Sequence, residues 1–371
     1  NPDYKKSDKY ILVDDVLESL QQLSTQYRNT LNCKIIVIAG SNGKTTTKEL
    51  VSRVLEKKYK TFSTKGNLNN HIGVPLSLLS IEKDTDYAVI EIGANHLKEN
   101  ALLCEIAQPD YAIVTNCGKD HLEGFGGIEG VIEANKEVYD YLRKKTSSKC
   151  FINGDDSLLL ELAEGLEKIK YQQGEIDEKN IVSGTIVEKF PFLKIQSKNL
   201  IVNSRLFGSF QIYNLLCAIA VGRYFQVKEE AIKEALESYN PSNNRSQLIN
   251  WGTNSVLLDA YNANPSSMTE MIKDFSELPE SNKVAVLGDM FELGEDSSVE
   301  HKNIVNQLNQ SDISEIILVG SLFKEHSSTS KARHFNKTEE AKEWILSQNF
   351  QNKYILVKGS RGMALEKIFI S

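Results

Sequence analysis

Residues 34–47 have the sequence KIIVIAGSNGKTTT, in which an apolar run leads into a glycine-rich turn. The apolar run over 34–39 predicts a buried strand, and a helical pattern begins near Lys44. A glycine-rich loop between a strand and a helix points its backbone N–H groups at phosphate oxygens. This stretch therefore predicts a phosphate-binding loop, with a plain strand-to-helix turn as the alternative.

Two side chains of this loop have an expected chemical role. In such loops a lysine reaches the terminal phosphates and the next hydroxyl binds Mg²⁺, which points to Lys44 and Thr45. The spacing is shorter than the general pattern, because Ile38 stands where the first glycine would be. The residues expected to bind phosphate groups through this loop are Gly40, Ser41, Asn42, Gly43, Lys44, Thr45 and Thr46.

Apolar strands alternate with amphipathic helices from residue 34 onward, which is typical of a parallel sheet. Short β-rich pieces over 181–202 predict an antiparallel insert, and two helices follow near 213–225 and 228–239. The strands predicted for the parallel sheet are 34–39, 87–92, 111–115 and 149–153.

A second α/β unit follows the turn-forming sequence NPSNN at 240–244, where we place a domain boundary. Its pattern again alternates strands and helices, as in doubly wound domains. The fold class is therefore α/β, with two successive domains. The strands predicted for the second domain are 255–258, 283–287, 315–319 and 354–357.

The composition limits the classes of function. The 371-residue chain has 43 Lys and Arg against 50 Asp and Glu, a net charge of −7, which argues against nucleic-acid binding. No apolar run approaches the roughly 20 residues that a membrane span needs. The five cysteines are odd in number and lack CxxC spacing, which fits a reducing cytoplasm and excludes a Cys-type zinc site.

Polar residues follow two further strands of the predicted parallel sheet. Glu91 lies near the end of one strand, and His121 lies in the loop after the next. Because ligands of α/β sheets bind beyond the carboxyl ends of the strands, we expect both to approach Thr45 and to hold Mg²⁺ beside phosphates. A salt-bridged strand end and a loop histidine bonded to backbone are the alternatives.

Several motifs, taken together, resemble the Mur ligases, the ATP-dependent amide-forming enzymes of bacterial cell-wall synthesis. The shared motifs are GSNGKTT (40–46), NLNNHIGVP (67–75), EIGANH (91–96) and HLEGFG (121–126). Later motifs narrow the resemblance to the member that adds D-alanyl-D-alanine to UDP-N-acetylmuramoyl-tripeptide. Those motifs are NNRSQ (243–247), DAYNANPSSM (259–268), GDMFELG (288–294) and KGSRGM (358–363).

The resemblance implies three domains: a UDP-binding domain, a central P-loop ATPase with a mostly parallel sheet, and a C-terminal Rossmann-like domain. Residues 1–32, with a short strand predicted at 10–13 and a helix after it, would be a remnant of the first domain. Most of that domain is expected to be absent from this sequence. The central domain would then span 33–240 and the C-terminal domain 241–371.

The reaction implied by the resemblance has two steps, formation of an acyl phosphate from ATP and its displacement by the amine of D-alanyl-D-alanine. Lys44, Glu91 and His121 would be catalytic, and Thr45, Glu91 and His121 would hold Mg²⁺. Asn214 would lie near the base of ATP, Arg245 near its phosphates, and Asp259 in contact with the nucleotide. A helix-packing asparagine, a surface arginine and a strand-end aspartate are the alternatives for these three.

Two polar segments are candidates for substrate binding. Amide side chains around 67–71 could bind a carbonyl or phosphate, and cations at 358–361 could hold the carboxylate of the dipeptide. The alternative for 67–71 is a plain turn, and the alternative for 358–361 is a basic turn exposed to solvent. The expected substrate residues are Asn69, Asn70, His71, Asn262, Asn264, Lys358, Ser360 and Arg361.

One departure from the family concerns a metal-binding lysine, carbamylated in many members, fourteen positions after the metal-binding histidine. That position here is Asn135, with Lys136 next to it. Consecutive helix residues point about 100° apart, so Lys136 should face away from the site. We expect Asn135 to line the metal site without a carbamate. One alternative is an inward shift of Lys136, which would then be carbamylated. The other is that both are ordinary helix residues and that His121 and phosphate alone hold the metal.

The resulting prediction is a monomeric cytoplasmic enzyme of peptidoglycan synthesis, and hence of cell shape and division. Another Mur-type or folylpolyglutamate-type amino acid ligase is the first alternative, and a non-catalytic nucleotide-binding protein is the second. The sequence does not identify the third residue of the peptide substrate.

Overall fold

A large, mostly parallel sheet forms the centre of the first α/β unit. The structure is a computed structural model that describes residue 7 and residues 9–174, 181–327 and 331–370. Within these residues the sheet has nine strands: β1 (Lys34–Ala39), β2 (Thr61–Ser63), β3 (Tyr87–Glu91), β4 (Tyr111–Val114), β5 (Lys149–Asn153), β6 (Glu167–Gln173), β7 (Ile181–Glu188), β8 (Lys194–Ser197) and β9 (Leu200–Asn203).

The strand order is β2-β3-β1-β4-β5-β6-β7-β8-β9. The first seven strands in this order pair in parallel, and β8 and β9 are antiparallel additions at one edge. The predicted parallel strands and the antiparallel strands near 181–202 are thus confirmed. The strand predicted at 10–13 is not formed, and residues 10–13 are exposed.

Helices cover both faces of this sheet, as a parallel sheet requires. One face packs against α2, α8 and α9, and the other against α1, α3, α4, α6 and α7. The helices of this unit are α1 (Val16–Asn29), α2 (Lys44–Glu56), α3 (Gly73–Leu79), α4 (Glu99–Ala107), α5 (Leu122–Phe125), α6 (Ile128–Lys144), α7 (Ser157–Leu162), α8 (Gln211–Tyr224) and α9 (Glu229–Glu237).

The second unit has a six-stranded sheet in the order β10-β11-β15-β12-β13-β14, parallel except for the β10–β11 pair. These counts refer to the described ranges. Its strands are β10 (Gln247–Trp251), β11 (Asn254–Asp259), β12 (Lys283–Gly288), β13 (Glu315–Val319), β14 (Arg333–Phe335) and β15 (Tyr354–Lys358). Its helices are α10 (Pro265–Ser276), α11 (Ser297–Gln310), α12 (Ser321–Ser327) and α13 (Thr338–Ser347).

An apolar cluster joins the two units. Leu122 and Phe125 of α5 belong to the same buried cluster as Met290 and Leu293, which follow β12. The first unit therefore packs directly against the C-terminal sheet domain. None of the helices within the described ranges has both the length and the apolar character to cross a bilayer.

The helix α1 is packed onto the central unit, against α3 and α4. Its Arg28 is buried, and Nε donates to the Ala107 carbonyl at 3.1 Å while Nη2 approaches the Gln108 carbonyl at 3.3 Å and Asp110 at 3.5 Å. Burial alone would raise the pKa of Asp110, but the backbone N–H of Ile35 and the Lys145 ammonium outweigh it and lower that pKa. The predicted remnant segment thus contributes a helix to the central domain.

We expect Arg28→Met to lower the free energy of unfolding by about 2–3 kcal/mol, because the carbonyls of Ala107 and Gln108 lose a charged donor and Asp110 loses one of its cations. Urea denaturation measures the change. The matched control is Lys34→Met, which removes a cation from the same Asp110 carboxylate at 3.3 Å but is 56% exposed. The control should cost under ~1 kcal/mol, and equal losses would contradict the prediction.

Candidate active site

A cavity of about 850 Å³ lies beyond the carboxyl ends of β1, β3 and β4, where the central unit faces the C-terminal domain. This is the position at which ligands bind in open α/β sheets. The central unit contributes the predicted phosphate loop, residues 67 and 69–71, and the start of α8. The C-terminal domain contributes residues 245–246, part of 259–267, Glu270 and Lys358.

The phosphate loop is shaped by close approach to the end of β4. Gly40 has φ +114°, and a Cβ there would overlap the hydroxyl of Thr115. The N–H of Ser41 donates to the Asn116 carbonyl at 2.9 Å. Helix α2 begins at Lys44 without a side-chain cap. Its first N–H groups can therefore bind phosphate oxygens.

Lys44 folds over the loop that precedes it. Its Nζ donates to the carbonyls of Gly40 at 2.5 Å and Ser41 at 3.1 Å. Neutral carbonyls are its only partners within the described residues, and Lys44 lines the cavity. A phosphate placed in the loop would meet an ammonium that is not neutralised by a carboxylate.

Asn214 supports the loop from α8. A Cβ on Gly43 would lie 2.9 Å from its Oδ1, which also accepts from Thr47 Oγ1 at 3.0 Å. Its Nδ2 donates to Gln211 at 2.6 Å. Asn214 lines the cavity, as expected for an ATP-site residue, and its amide contacts the phosphate loop.

Glu91 is a buried acid of the site with one carboxylate oxygen left without a partner in the described part of the chain. It is 2% exposed, and its Oε1 accepts from Asn69 Nδ2 at 2.8 Å. Its Oε2 is buried without a hydrogen-bond partner among the described residues. A buried carboxylate oxygen without a partner is costly, so this atom points to a cation.

His121 pairs with a residue of the C-terminal domain that was not expected in the site. Its Nδ1 lies 2.6 Å from Oε2 of Glu292, and this hydrogen bond lowers the pKa of the Glu292 carboxyl. Glu292 lies within the GDMFELG motif, but the motif alone does not show which side chain it meets. Asp120, also not expected, accepts from the Ser41 hydroxyl beside the loop.

Further polar pairs join the two domains at the cavity. Lys119 Nζ contacts Glu300 at 2.6 Å, and Lys119 N donates to Ser266 Oγ at 3.0 Å. Asn264, which caps α10, donates to Asn42 Oδ1 at 2.8 Å. The loop after β4 and the phosphate loop are therefore both held by the C-terminal domain.

Arg245 and Asp259 line the cavity from the C-terminal side. The guanidinium carbon of Arg245 lies 3.6 Å from the ring centre of Tyr261, close enough for a cation–π contact. Asp259 accepts from Ser246 N at 2.9 Å and forms an ion pair with Lys358. The Lys358 ammonium is 2% exposed and already paired, so it differs from the expected free cation for a dipeptide carboxylate.

The structure places three expected site residues outside the cavity. Ser360 accepts from the backbone N–H of Phe291 at 2.9 Å, and Arg361 is 62% exposed and pairs with Glu366. Asn135 donates to the Val131 carbonyl of its own helix and is absent from the residues that line the cavity. These positions follow from the direction of the chain after β15 and from the buried side of α6 on which Asn135 lies.

Lys136 points away from the cavity, as expected. Its Nζ lies 3.2 Å from Glu133 and 4.0 Å from Asp140 on the exposed side of α6. The remaining expected substrate residues do line the cavity: Asn69, Asn70, His71, Asn262 and Asn264. Cys117 also lines it, but burial raises the pKa of its thiol to about 12, which excludes a thiolate nucleophile at neutral pH.

Known proteins are similar to this chain in both of its α/β units. Two family models match, the Mur ligase middle domain over 38–222 and the Mur ligase glutamate ligase domain over 244–361. The chain is 32% identical over 376 residues to UDP-N-acetylmuramoyl-tripeptide–D-alanyl-D-alanine ligase of Bacillus subtilis, covering 99% of this chain and 82% of that protein. The ligase of the same name from Buchnera aphidicola subsp. Baizongia pistaciae is 34% identical over 375 residues, covering 96% and 79%.

Similarity extends to solved structures. A crystal structure of MurF from Acinetobacter baumannii superposes with a TM-score of 0.87 at 29% identity, covering 98% of this chain and 83% of that chain.

We expect Gly40→Ala to destabilise the protein by about 2–4 kcal/mol and to weaken ATP binding, because the new Cβ would overlap Thr115 at a positive φ. Urea denaturation and ATP titration measure both effects. The control is Gly66→Ala, at φ +58° with no atom within 4 Å of the new Cβ. It should cost only about 1 kcal/mol, and a Gly40 variant that behaves like the control would contradict the prediction.

Proposed function

This chain belongs to the Mur ligase family, and from this premise we propose that it joins D-alanyl-D-alanine to UDP-N-acetylmuramoyl-tripeptide while ATP is converted to ADP and phosphate. The observation that carries the proposal is the single cavity in which a phosphate loop, a buried unpartnered carboxylate and an arginine of the second domain meet. Relatives named for this reaction align over nearly the whole chain. The product is a precursor of peptidoglycan.

The first step joins the substrate carboxylate to the γ-phosphorus of ATP, and the bond from that phosphorus to the β-phosphate oxygen breaks as ADP leaves. Negative charge spreads over the phosphoryl oxygens during this transfer. Lys44, which lies over the phosphate loop, and the first N–H groups of α2 would stabilise that charge. In the second step the amine of the dipeptide attacks the acyl carbon, and phosphate leaves from a tetrahedral intermediate.

The cavity residues also fit a bound Mg²⁺. The free Oε2 of Glu91 is an oxygen ligand of the kind that Mg²⁺ prefers, and the Thr45 hydroxyl and the His121 imidazole line the same cavity. No cluster of three His, Cys, Asp or Glu side chains within the described ranges forms a complete metal site. This agrees with Mg²⁺ sites that take most ligands from phosphates and water. When bound, the ion neutralises phosphate charge.

Arg245 is the contribution of the C-terminal domain to the phosphates. Its guanidinium is held on the Tyr261 ring and forms no ion pair in the part of the chain described. Because Arg245 follows the predicted domain boundary, it reaches the nucleotide only while the domains are docked. Asn214 and Asp259 would bind the nucleotide beside it.

The remaining polar lining would hold the two amide-forming substrates. Asn69, Asn70 and His71 line the cavity from the central unit, and Asn262 lines it from the C-terminal domain. Since both domains of one chain complete the cavity, we propose that the enzyme acts as a monomer. We place it in the cytoplasm, because its five cysteines are free thiols.

We expect ADP release to require both UDP-N-acetylmuramoyl-tripeptide and D-alanyl-D-alanine. A screen of amino acceptors coupled to ADP detection tests this, with L-glutamate and single D-alanine as controls. Preference for glutamate would indicate a folylpolyglutamate-type ligase instead. No ADP release with any acceptor would indicate a nucleotide-binding protein without ligase activity.

Lys44→Ala should lower kcat by about 10²–10³-fold, or ~3–4 kcal/mol, because one positive contact to the transferring phosphoryl group is lost. The folded state should be retained, since Lys44 bonds only to carbonyls of its own loop. The control is Lys57→Ala at the far end of the same helix, where the ammonium pairs with Glu234 at 2.7 Å. Near-normal turnover of the Lys44 variant would contradict its assigned role.

A further inference from the structure

Glu292 contacts the active site from outside the cavity. Its side chain is absent from the cavity lining, yet Oε2 lies 2.6 Å from Nδ1 of His121, which does line it. The backbone of the same residue is also engaged, since the N–H of Glu123 donates to the Glu292 carbonyl at 3.1 Å. One residue of the C-terminal domain thus holds both the imidazole and the helix α5 that follows it.

Both members of this pair have an unusual backbone. His121 has φ +48° and Glu292 has φ +62°, in the left-handed region that residues other than glycine seldom adopt. Such conformations persist where surrounding contacts determine them, and they concentrate at functional sites. Two of them facing each other across a domain boundary indicate that the orientation of the pair matters.

The contact also determines which nitrogen of the imidazole is available. When Nδ1–H donates to a carboxylate, Nε2 keeps its lone pair and can bind a cation. We propose that Glu292 is a positioning residue, which orients His121 as a ligand of the divalent cation bound with ATP. It can do so only while the C-terminal domain is docked, so domain closure would complete the cation site.

This inference rests on the proposed function, which identifies the nucleotide as ATP. It adds Glu292 to the residues of the site and links cation binding to docking of the C-terminal domain. The alternative is that Glu292 is only a tether between domains. Lys119 and Glu300 offer a comparison, since their 2.6 Å ion pair joins the same loop to the C-terminal domain without contacting His121.

The test measures Mn²⁺ binding to the ATP complex by electron paramagnetic resonance, together with ATP binding in excess EDTA. Loss of a carboxylate that orients a metal-binding histidine typically weakens metal binding 10–100-fold. We expect Glu292→Ala to weaken Mn²⁺ binding by this factor and to leave metal-free ATP binding unchanged. Glu295→Ala is the matched control, because Glu295 is an exposed carboxylate on the same loop. Glu300→Ala should have a much smaller effect than Glu292→Ala.

A double-mutant cycle with His121→Gly completes the test, since glycine accepts the left-handed backbone at this position. If Glu292 acts through His121, the double variant binds Mn²⁺ no more weakly than His121→Gly alone. Additive losses, wild-type Mn²⁺ binding in Glu292→Ala, or an equal loss in Glu300→Ala would each overturn the proposal. Because Mn²⁺ binding is measured without amide formation, failure of the proposed ligase reaction would be seen separately, in the acceptor screen.

Discussion

The close passage of Gly40 beside Thr115 is the constraint from which the site is built. Strand β1 lies between β3 and β4, so the chain that leaves it must turn within the narrow space at their ends. A positive φ at Gly40 allows that turn, and it brings the loop against Thr115 at the end of β4. The phosphate loop, the buried Glu91 at the end of β3 and the loop after β4 therefore line one cavity.

The C-terminal domain completes this site by two different kinds of contact. The apolar cluster that contains Phe125 and Met290 removes surface from water, but such contacts have little directional preference. The pairs Lys119–Glu300 and His121–Glu292 are directional, and they set the orientation of the docked domain. Arg245 then reaches the cavity in one position, held by Tyr261.

The sequence could predict the elements whose signal is local. Buried parallel strands are continuous apolar runs, and the phosphate loop has a characteristic glycine spacing, so both could be predicted from the sequence. Strand β6 could not be predicted in this way, because its sequence EKIKYQQ has no continuous apolar run and its pairing depends on β5 and β7. The Glu292–His121 contact joins residues from two domains, and neither flanking sequence reveals its partner. The helical repeat gave the angle between the side chains of Asn135 and Lys136 on α6, but it could not give the distance of either residue from the cavity.

The unpaired charges of the cavity are those that the proposed nucleotide and its divalent cation would require. Lys358 and Asp259 neutralise each other, and so do Lys119 and Glu300. Lys44 and Arg245 form no such pair within the described residues, and Glu91 keeps one oxygen free. Two unneutralised cations and one buried carboxylate oxygen complement a polyphosphate and its counter-ion. Because Arg245 lies on the second domain, this complement exists only when the two domains are docked.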